Sequence, residues 1–298
     1  MLTFVAILID GIVYASWLFV VAVGLTLIFG VMKILNVTHG SLYAFGAYTA
    51  ATFTGLYFKA GLPPLGGFFM LALAALVAGA ILGIVIERGL LRFLYQRDEV
   101  TIVLVTYAAF LILEDVIKLI WGVDSRYATQ PYSILGNTEI SDLVISNYDL
   151  ALIGLALSIG AVLWAAVNRT RWGKLLQAVI HDREMSEAFG INVTRVFTVT
   201  FVIGAVLGAL GGAFTAPKIS VTLGIGVEVT VLAFAVVVIG GLGSVPGAII
   251  GALIVGLCRA TAVHLLPQVE LFVIFGVMSL VLVVRPQGLF GKVVARRI

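Results

Sequence analysis

Long apolar stretches, separated by short polar or Gly/Pro-rich breaks, run through almost the whole chain. A helix needs roughly 20 mostly apolar residues to cross a bilayer, and about nine stretches of this kind are present. They predict helices at residues 7–30, 40–58, 66–86, 100–121, 149–167, 196–216, 229–240, 247–266 and 268–284. Uninterrupted runs such as 68–86 lack the alternation of a membrane β-barrel. The pattern therefore predicts an all-α, polytopic transmembrane helical bundle of about 8–10 spans, some of them broken or re-entrant.

The composition argues against a water-soluble globule. Of 298 residues, 61% are hydrophobic and 11% charged, and the mean hydropathy is +1.17. Polar side chains are therefore too few to cover a solvated surface. No linker or low-complexity tract divides the chain, so residues 1–298 are predicted to form a single transmembrane domain. The lone cysteine, Cys258, lies in an apolar run, which argues against disulfides and thiolate metal sites.

The distribution of positive charge predicts the orientation of the chain in the membrane. Twelve of the 18 Lys and Arg residues fall in three segments, and lysines and arginines concentrate on the cytoplasmic side of membrane proteins. These residues are Arg88, Arg92, Arg97, Arg169, Arg171, Lys174, Arg183, Arg195, Arg285, Lys292, Arg296 and Arg297. By contrast, segment 122–148 has only Arg126 against Asp124, Glu139 and Asp142, and it is predicted to face outside. Helix parity then places the N-terminus outside and the C-terminus inside. No segment interleaves basic and aromatic residues, so no nucleic-acid partner is expected.

Residues 168–195, NRTRWGKLLQAVIHDREMSEAFGINVTR, form the longest predicted cytoplasmic segment. Leu175, Leu176, Val179 and Ile180 recur at helical spacing, which predicts an amphipathic helix. Asp182 can cap a second short helix. That helix has an apolar side of Met185, Ala188 and Phe189, and it is stopped by Gly190.

Two interpretations of this segment remain open. An amphipathic helix of this composition can lie on the membrane surface. Alternatively, it is a coupling helix that fits a groove on a cytoplasmic partner, with apolar anchors for affinity and with Arg183, Glu184 and Glu187 fixing the register.

Polar residues interrupt the apolar pattern at residues 30–48, GVMKILNVTHGSLYAFGAY. Lys33, Asn36, Thr38, His39 and Ser41 predict either a short turn at the membrane interface or a broken helix beside a solute path. His39 is not expected to bind a metal, since no second His, Cys or carboxylate stands at ligand spacing.

A glycine-rich bend lies within residues 235–256, AVVVIGGLGSVPGAIIGALIVG. Glycines allow helices to approach closely and allow a tight re-entrant turn. No lysine follows in the pattern of a phosphate-binding loop, so this chain is not expected to hydrolyse ATP, to contain a catalytic residue or to bind a cofactor.

Several charged residues lie within predicted spans, among them Glu114, Asp115 and Lys118 in the fourth, and charges there usually face the bundle interior. Glu114 and Lys118 are four residues apart, which predicts a salt bridge. A proton relay through Glu114 and Asp115 is the alternative. Arg259 lies in the eighth predicted span.

An ordered series of motifs strongly resembles the H-type permease of branched-chain amino acid ABC importers over essentially the full length. The motifs are ILNVTHGSLYAFGAY, ERGLLR, LILEDVIKLIWG, TRWGKLLQAVIHDREMSEAFGINV, AFAVVVIGGLGSVPGAIIGALIVG and RPQGLFG. The resemblance implies a multi-pass protein of the bacterial inner membrane that works by alternating access. Its implied partners are a homologous second permease in a heterodimer, two cytoplasmic ATPase subunits that use ATP and Mg²⁺, and a periplasmic solute-binding protein.

The resemblance also implies site residues. The coupling set is Leu175, Leu176, Asp182, Arg183, Glu184, Glu187, Phe189 and Gly190. The set assigned to the translocation pathway is Asn36, Thr38, His39, Gly40, Ser41, Gly243 and Ser244. Branched-chain amino acids are the expected solute, and urea, short amides and aromatic acids are alternatives within the family. The rival function is an ion- or proton-coupled secondary transporter, whose discontinuous helices and intramembrane carboxylates would match the Gly/Pro breaks and Glu114.

Overall fold

The computed structural model describes residues 2–140 and 143–291. The helices are α1 (Leu2–Met32), α2 (His39–Lys59), α3 (Gly66–Gly89), α4 (Glu99–Trp121), α5 (Gln130–Leu135), α6 (Asn147–Arg169), α7 (Arg171–His181), α8 (Arg183–Ala188), α9 (Val193–Thr215), α10 (Ile225–Gly240), α11 (Val245–Leu265) and α12 (Glu270–Val284). Short 3₁₀ turns at Leu91–Phe93 and Pro267–Val269 follow α3 and precede α12. Seven helical segments of this described part are long and apolar enough to cross a membrane. The predicted helical membrane bundle is therefore confirmed.

Eight of the nine predicted spans match an observed helix to within about four residues at each end, and α1 begins five residues earlier than predicted. The main departure lies between α4 and α6. There, α5 is followed by a hairpin of β1 (Asn137–Ile140) and β2 (Leu143–Ser146), which pair antiparallel from Asn137↔Ser146 to Ile140↔Leu143. Its strands are only four residues long, too short to stand out from a polar loop in the sequence. The charges predicted at Asp142, Lys292, Arg296 and Arg297 lie outside the described residues.

The core of the bundle is built on α1 and α9. α1 packs along α11 and α9, while α9 also packs along α2 and α3. Small residues allow this approach: a Cβ on Gly24 of α1 would be 2.6 Å from the carbonyl oxygen of Gly204 on α9. Close backbone packing of this kind is the usual way in which membrane helices associate, because lipid supplies no hydrophobic drive between them.

Contacts between the connecting segments show which of them lie at the same end of the bundle. At one end, called here the outer end, Lys218 pairs with Asp149 at the start of α6, and Arg126 exchanges backbone hydrogen bonds with Val221. At the other, the inner end, α7 and α8 lie between α6 and α9, and the Phe290 N–H donates to the Gly240 carbonyl. The segments predicted to be cytoplasmic thus share the inner end as far as they are described.

Candidate coupling and transport sites

The two short helices at the inner end begin with side-chain caps. Thr170 Oγ1 accepts a hydrogen bond from the Gly173 N–H at 3.0 Å and starts α7. Asp182 Oδ1 accepts from the Met185 N–H at 2.9 Å and starts α8, as the sequence predicts. Gly190 follows α8 with φ +80°, a left-handed conformation that glycine adopts without steric cost.

The apolar residues of α7 divide between two environments. Leu176 and Val179 are buried in a cluster with Val193 and Phe197 of α9, so they attach α7 to the bundle. Leu175 and Ile180 remain exposed. One side of α7 is therefore buried against the bundle, and the other side is exposed.

The second short helix turns nearly all of its side chains outward. Within α8 only Ser186 is buried. Met185 is 55% exposed and Phe189, directly after α8, is 79% exposed. An ion pair joins Arg183 Nε to Glu187 Oε1 at 3.1 Å, and Glu184 is also exposed. Except for Leu176, which is buried, the predicted coupling set thus forms a mixed apolar and charged surface attached to α9.

A route from α8 into the bundle escaped the sequence analysis. The Arg183 guanidinium lies 5.3 Å from the centre of the Phe197 ring on α9, and this ring meets Tyr95 edge to face at 5.1 Å. The Tyr95 hydroxyl donates a hydrogen bond to Glu87 Oε1, and Glu87 is fully buried near the end of α3. The sequence held one signal for these contacts. Glu87 lies at the end of an apolar run, and a buried charge in such a run needs a partner.

The residues assigned to the pathway occupy two places along α10. Asn36, Thr38, His39, Gly40 and Ser41 are all buried at the start of α2, and Gly40 lies against Gly226 and Thr230 near the start of α10. Gly243 lies against Gly30 just beyond the other end of α10. Ser244 caps α11, with its Oγ accepting from the Gly247 N–H at 3.1 Å. α10 has 16 residues, which places the two groups about 20 Å apart.

The start of α2 lies deep inside the bundle. His39 Nε2 forms a 2.9 Å hydrogen bond with the carbonyl oxygen of Val21, which lies eleven residues, or about 17 Å, before the end of α1. After α1 the chain therefore turns back through residues 33–38, where Asn36 Oδ1 accepts hydrogen bonds from both N–H and Oγ1 of Thr38. Of the two interpretations for this segment, the geometry fits a broken helix rather than a turn at the interface.

Helix α10 starts at the same depth as α2. α10 begins beside Gly40 and runs toward the inner end, whereas α2 runs toward the outer end. Glu114 Oε2 of α4 accepts a hydrogen bond from the Gly224 N–H at 3.2 Å, at the N-terminus of α10. The N-termini of α2, with 21 residues, and α10, with 16, thus meet inside the bundle. Helix termini within the membrane are common at the solute sites of transporters.

The predicted Glu114–Lys118 salt bridge is wrong. Lys118 Nζ pairs instead with Asp115 Oδ1 at 2.9 Å, on an exposed part of α4. Glu114 has turned to the α10 terminus, where a free backbone N–H attracts a carboxylate. Among the described residues, no group of three or more His, Cys, Asp or Glu side chains is arranged to hold a metal ion.

Comparisons with known proteins place the chain in a transport family. A family model described as "Branched-chain amino acid transport system / permease component" matches residues 7–284. The permease protein BraD of a high-affinity branched-chain amino acid transport system in Pseudomonas aeruginosa is 28% identical, over 96% of this chain and 95% of BraD. The corresponding LivH protein of Escherichia coli K12 is 27% identical, over 95% and 94% of the two chains. A solved structure of PsaBC from Streptococcus pneumoniae in complex with Fab matches 94% of this chain and 91% of its own, with 13% identity and a TM-score of 0.43.

Proposed function

This chain belongs to the family of branched-chain amino acid transport permeases, and we propose that it is the membrane-spanning subunit of an ATP-driven importer for branched-chain amino acids. It would translocate its solute by alternating access, with ATP and Mg²⁺ handled by separate subunits. Near full-length similarity to BraD and LivH supports the choice of solute. Urea, short amides and aromatic acids are the competing solutes to include in any test.

The observation that carries the ATP-driven mechanism is the exposed surface of α7 and α8. Phe189 and Met185 leave large apolar area uncovered at the inner end, beside the Arg183–Glu187 pair. Protein interfaces commonly join such apolar anchors to a charged rim. A cytoplasmic ATPase subunit is the partner we propose for this surface, in preference to the membrane surface. The charged residues of α8 would be poorly placed against lipid tails.

The contacts behind α8 supply a way to pass ATPase motion into the spans. A displacement of α8 acts on Phe197 of α9 through Arg183, and on Glu87 of α3 through Tyr95. α9 packs along α1, α2 and α3, so movement of its inner end reaches the place where α2 meets α10. Alternating access requires two discrete arrangements of such packed elements.

We propose that the pathway opens next to the junction of α2 and α10. The positive ends of the two helices suit the carboxylate of an amino acid. Gly40 lies tightly against α10, so opening the proposed pathway at this level would require α2 and α10 to separate. The complete importer is proposed to contain a homologous second permease as a heterodimer partner, two ATPase subunits and a periplasmic binding protein.

Reconstitution of the complete assembly in proteoliposomes tests this function. Uptake of radiolabelled leucine, isoleucine or valine should require ATP on the α7–α8 side and binding protein on the opposite side. Urea, acetamide and benzoate, added in excess, should not compete. Leucine uptake by the purified chain alone, driven by a proton or sodium gradient, would overturn the proposal in favour of secondary transport.

A further inference from the structure

A charged cleft opens at the outer end, away from the α2–α10 junction. Its volume is about 180 Å³, and its walls come from the first half of α1, the last turns of α11 and the segment that follows α9. The charged or titratable groups of the cleft are Asp10, Lys218, Arg259 and His264, while Trp17 and Val263 contribute apolar walls. We call this space the outer cleft. Pockets for drug-sized ligands have volumes of about 300–1,000 Å³, so the outer cleft fits a smaller solute.

Arg259 is held in one orientation on two sides. Its Nε pairs with Glu270 Oε1 at 2.6 Å, and its guanidinium lies 4.0 Å from the centre of the Tyr14 ring. No hydrogen bond from its two terminal nitrogens is found within the described part of the chain. A guanidinium that is anchored through Nε and stacked on a ring presents these nitrogens as a rigid fork, the geometry that binds a carboxylate through two parallel hydrogen bonds.

An acidic group faces the same cleft. Asp10 Oδ2 contacts His264 Nε2 at 2.7 Å, which leaves Oδ1 available. The Asp10 side chain is 60% exposed, so a ligand can reach it. The cleft therefore combines a free arginine fork, a free carboxylate oxygen and apolar walls within a space that is small enough for each to touch one solute molecule.

We propose that the outer cleft is a binding site for the zwitterion of an aliphatic α-amino acid. The carboxylate would bind the terminal nitrogens of Arg259, the ammonium group would bind Asp10, and the aliphatic side chain would lie against Trp17 and Val263. The choice of an aliphatic amino acid rests on the proposed function. The zwitterion follows from the Arg259 terminal nitrogens and Asp10 Oδ1, because the lysine of the cleft, Lys218, is already paired with Asp149.

The position of the outer cleft suits a site that receives solute before translocation. Tyr14, which supports Arg259, meets Trp17 edge to face at 5.0 Å, and Trp17 lies 6.1 Å from Tyr43. Tyr43 is one turn after His39 on α2. A row of aromatic rings thus leads from the outer cleft to the helix that starts at the α2–α10 junction.

Direct binding to the purified full-length chain in lipid nanodiscs, without binding protein or ATPases, tests the inference. Ligand-observed NMR would compare leucine with 4-methylpentanoate, which lacks the ammonium group, and with isoamylamine, which lacks the carboxylate. Leucine should bind saturably and more tightly than either analogue. R259K should weaken leucine and 4-methylpentanoate by at least about tenfold while sparing isoamylamine. D10N should weaken leucine and isoamylamine instead.

A steric variant keeps the test valid if a charge change disturbs folding. V263F should fill the outer cleft without touching the ion pairs, and should abolish leucine binding at an unchanged melting temperature. R285K at the inner end is the matched control for R259K. Equal leucine affinity in wild type, R259K and V263F would overturn the inference. So would a complete lack of binding when the reconstituted importer takes up leucine, whereas binding without ATP-driven uptake would overturn only the proposed function.

Discussion

Gly40 of α2 faces Gly226 of α10 without any side chain between them. A methyl group on Gly40 would overlap the Gly226 carbonyl oxygen and Thr230 Oγ1. Two helix N-termini therefore touch through their backbones, in the interior of a bundle whose other helices mostly run its full length. Glycine is the residue that this contact requires.

G40A should separate α2 from α10 and destabilise the chain by about 1–3 kcal/mol, because overpacking at a backbone contact forces the helices apart. Thermal unfolding in detergent would measure the loss. Gly55 offers a matched control on the same helix, since nothing lies within 4 Å of a Cβ added there. G55A should be neutral or slightly stabilising. If G40A and G55A melted at the same temperature, the close contact of α2 with α10 would be wrong.

Truncation of the exposed ring in F189A should weaken binding of the ATPase subunits by about tenfold, because an apolar anchor at an interface commonly contributes more than 1 kcal/mol. The melting temperature of the chain should not change, since Phe189 is 79% exposed. Co-purification of the ATPases and ATP-driven leucine uptake would give the readouts. F4A, which removes another exposed ring at the outer end, is the control.

The charge reversal E187K should likewise leave membrane insertion intact and impair assembly with the ATPases. It breaks the 3.1 Å pair with Arg183 and places like charges one helical turn apart. Native electrophoresis of the assembled complex would show the loss. Normal assembly and normal uptake in E187K would count against the assignment of α8 as the coupling helix.

Removal of the Tyr95 hydroxyl in Y95F should cost about 1–3 kcal/mol, because the buried Glu87 carboxylate loses its donor. The double variant Y95F/E87L should recover part of this loss, since it removes both polar partners. Thermal unfolding of the single and double variants would measure the coupling. Additive losses would contradict a direct link between Tyr95 and Glu87.

The same phenol predicts a change at alkaline pH. Burial, followed by the hydrogen bond and negative charge of Glu87, raises the pKa of Tyr95 above its usual value. Because the folded state favours the protonated phenol, its contribution to stability is complete below about pH 10 and is lost as the pH rises toward the folded-state pKa. Wild type should therefore lose more thermal stability between pH 9 and 11 than Y95F. Y107F, which changes an exposed tyrosine, should behave as wild type.

Two substitutions at Glu114 separate the rival mechanisms. E114Q retains an oxygen that can accept from the Gly224 N–H, so folding and ATP-driven uptake should persist. E114L leaves that N–H unpaired and should destabilise the chain by about 1–3 kcal/mol. Melting temperatures and leucine uptake would distinguish the two. A proton relay through Glu114 would instead make E114Q inactive although folded.

Sequence reasoning located the spans well because a bilayer dictates both the length and the polarity of a crossing helix. It also located the cap at Asp182 and the stop at Gly190, which depend on neighbours within one turn. Pairings between distant segments escaped it. Glu114 was assigned to Lys118 because helical spacing allowed that pair, whereas its partner, Gly224, is 110 residues away.

The candidate sites divide in the same way. The coupling set is continuous in sequence and could be defined from a single segment. Arg259 was noticed as a charge within a span, but Glu270 and Tyr14 were not identified as its partners, since α1 and α12 meet α11 only after folding. Assignments of residues to the solute pathway remain predictions.

The low hydropathy of α2 has a consequence for biosynthesis. α2 carries four Ser and Thr residues, a histidine and a lysine, and it is not among the seven segments of the described chain that qualify as spans by length and hydropathy. A translocon that partitions nascent segments by hydropathy would release it into the bilayer poorly. Its main neighbour, α9, begins more than 130 residues after α2 ends. We therefore expect α2 to settle into the membrane late, after α9 has been synthesised, so that insertion of this chain does not follow the order of its sequence.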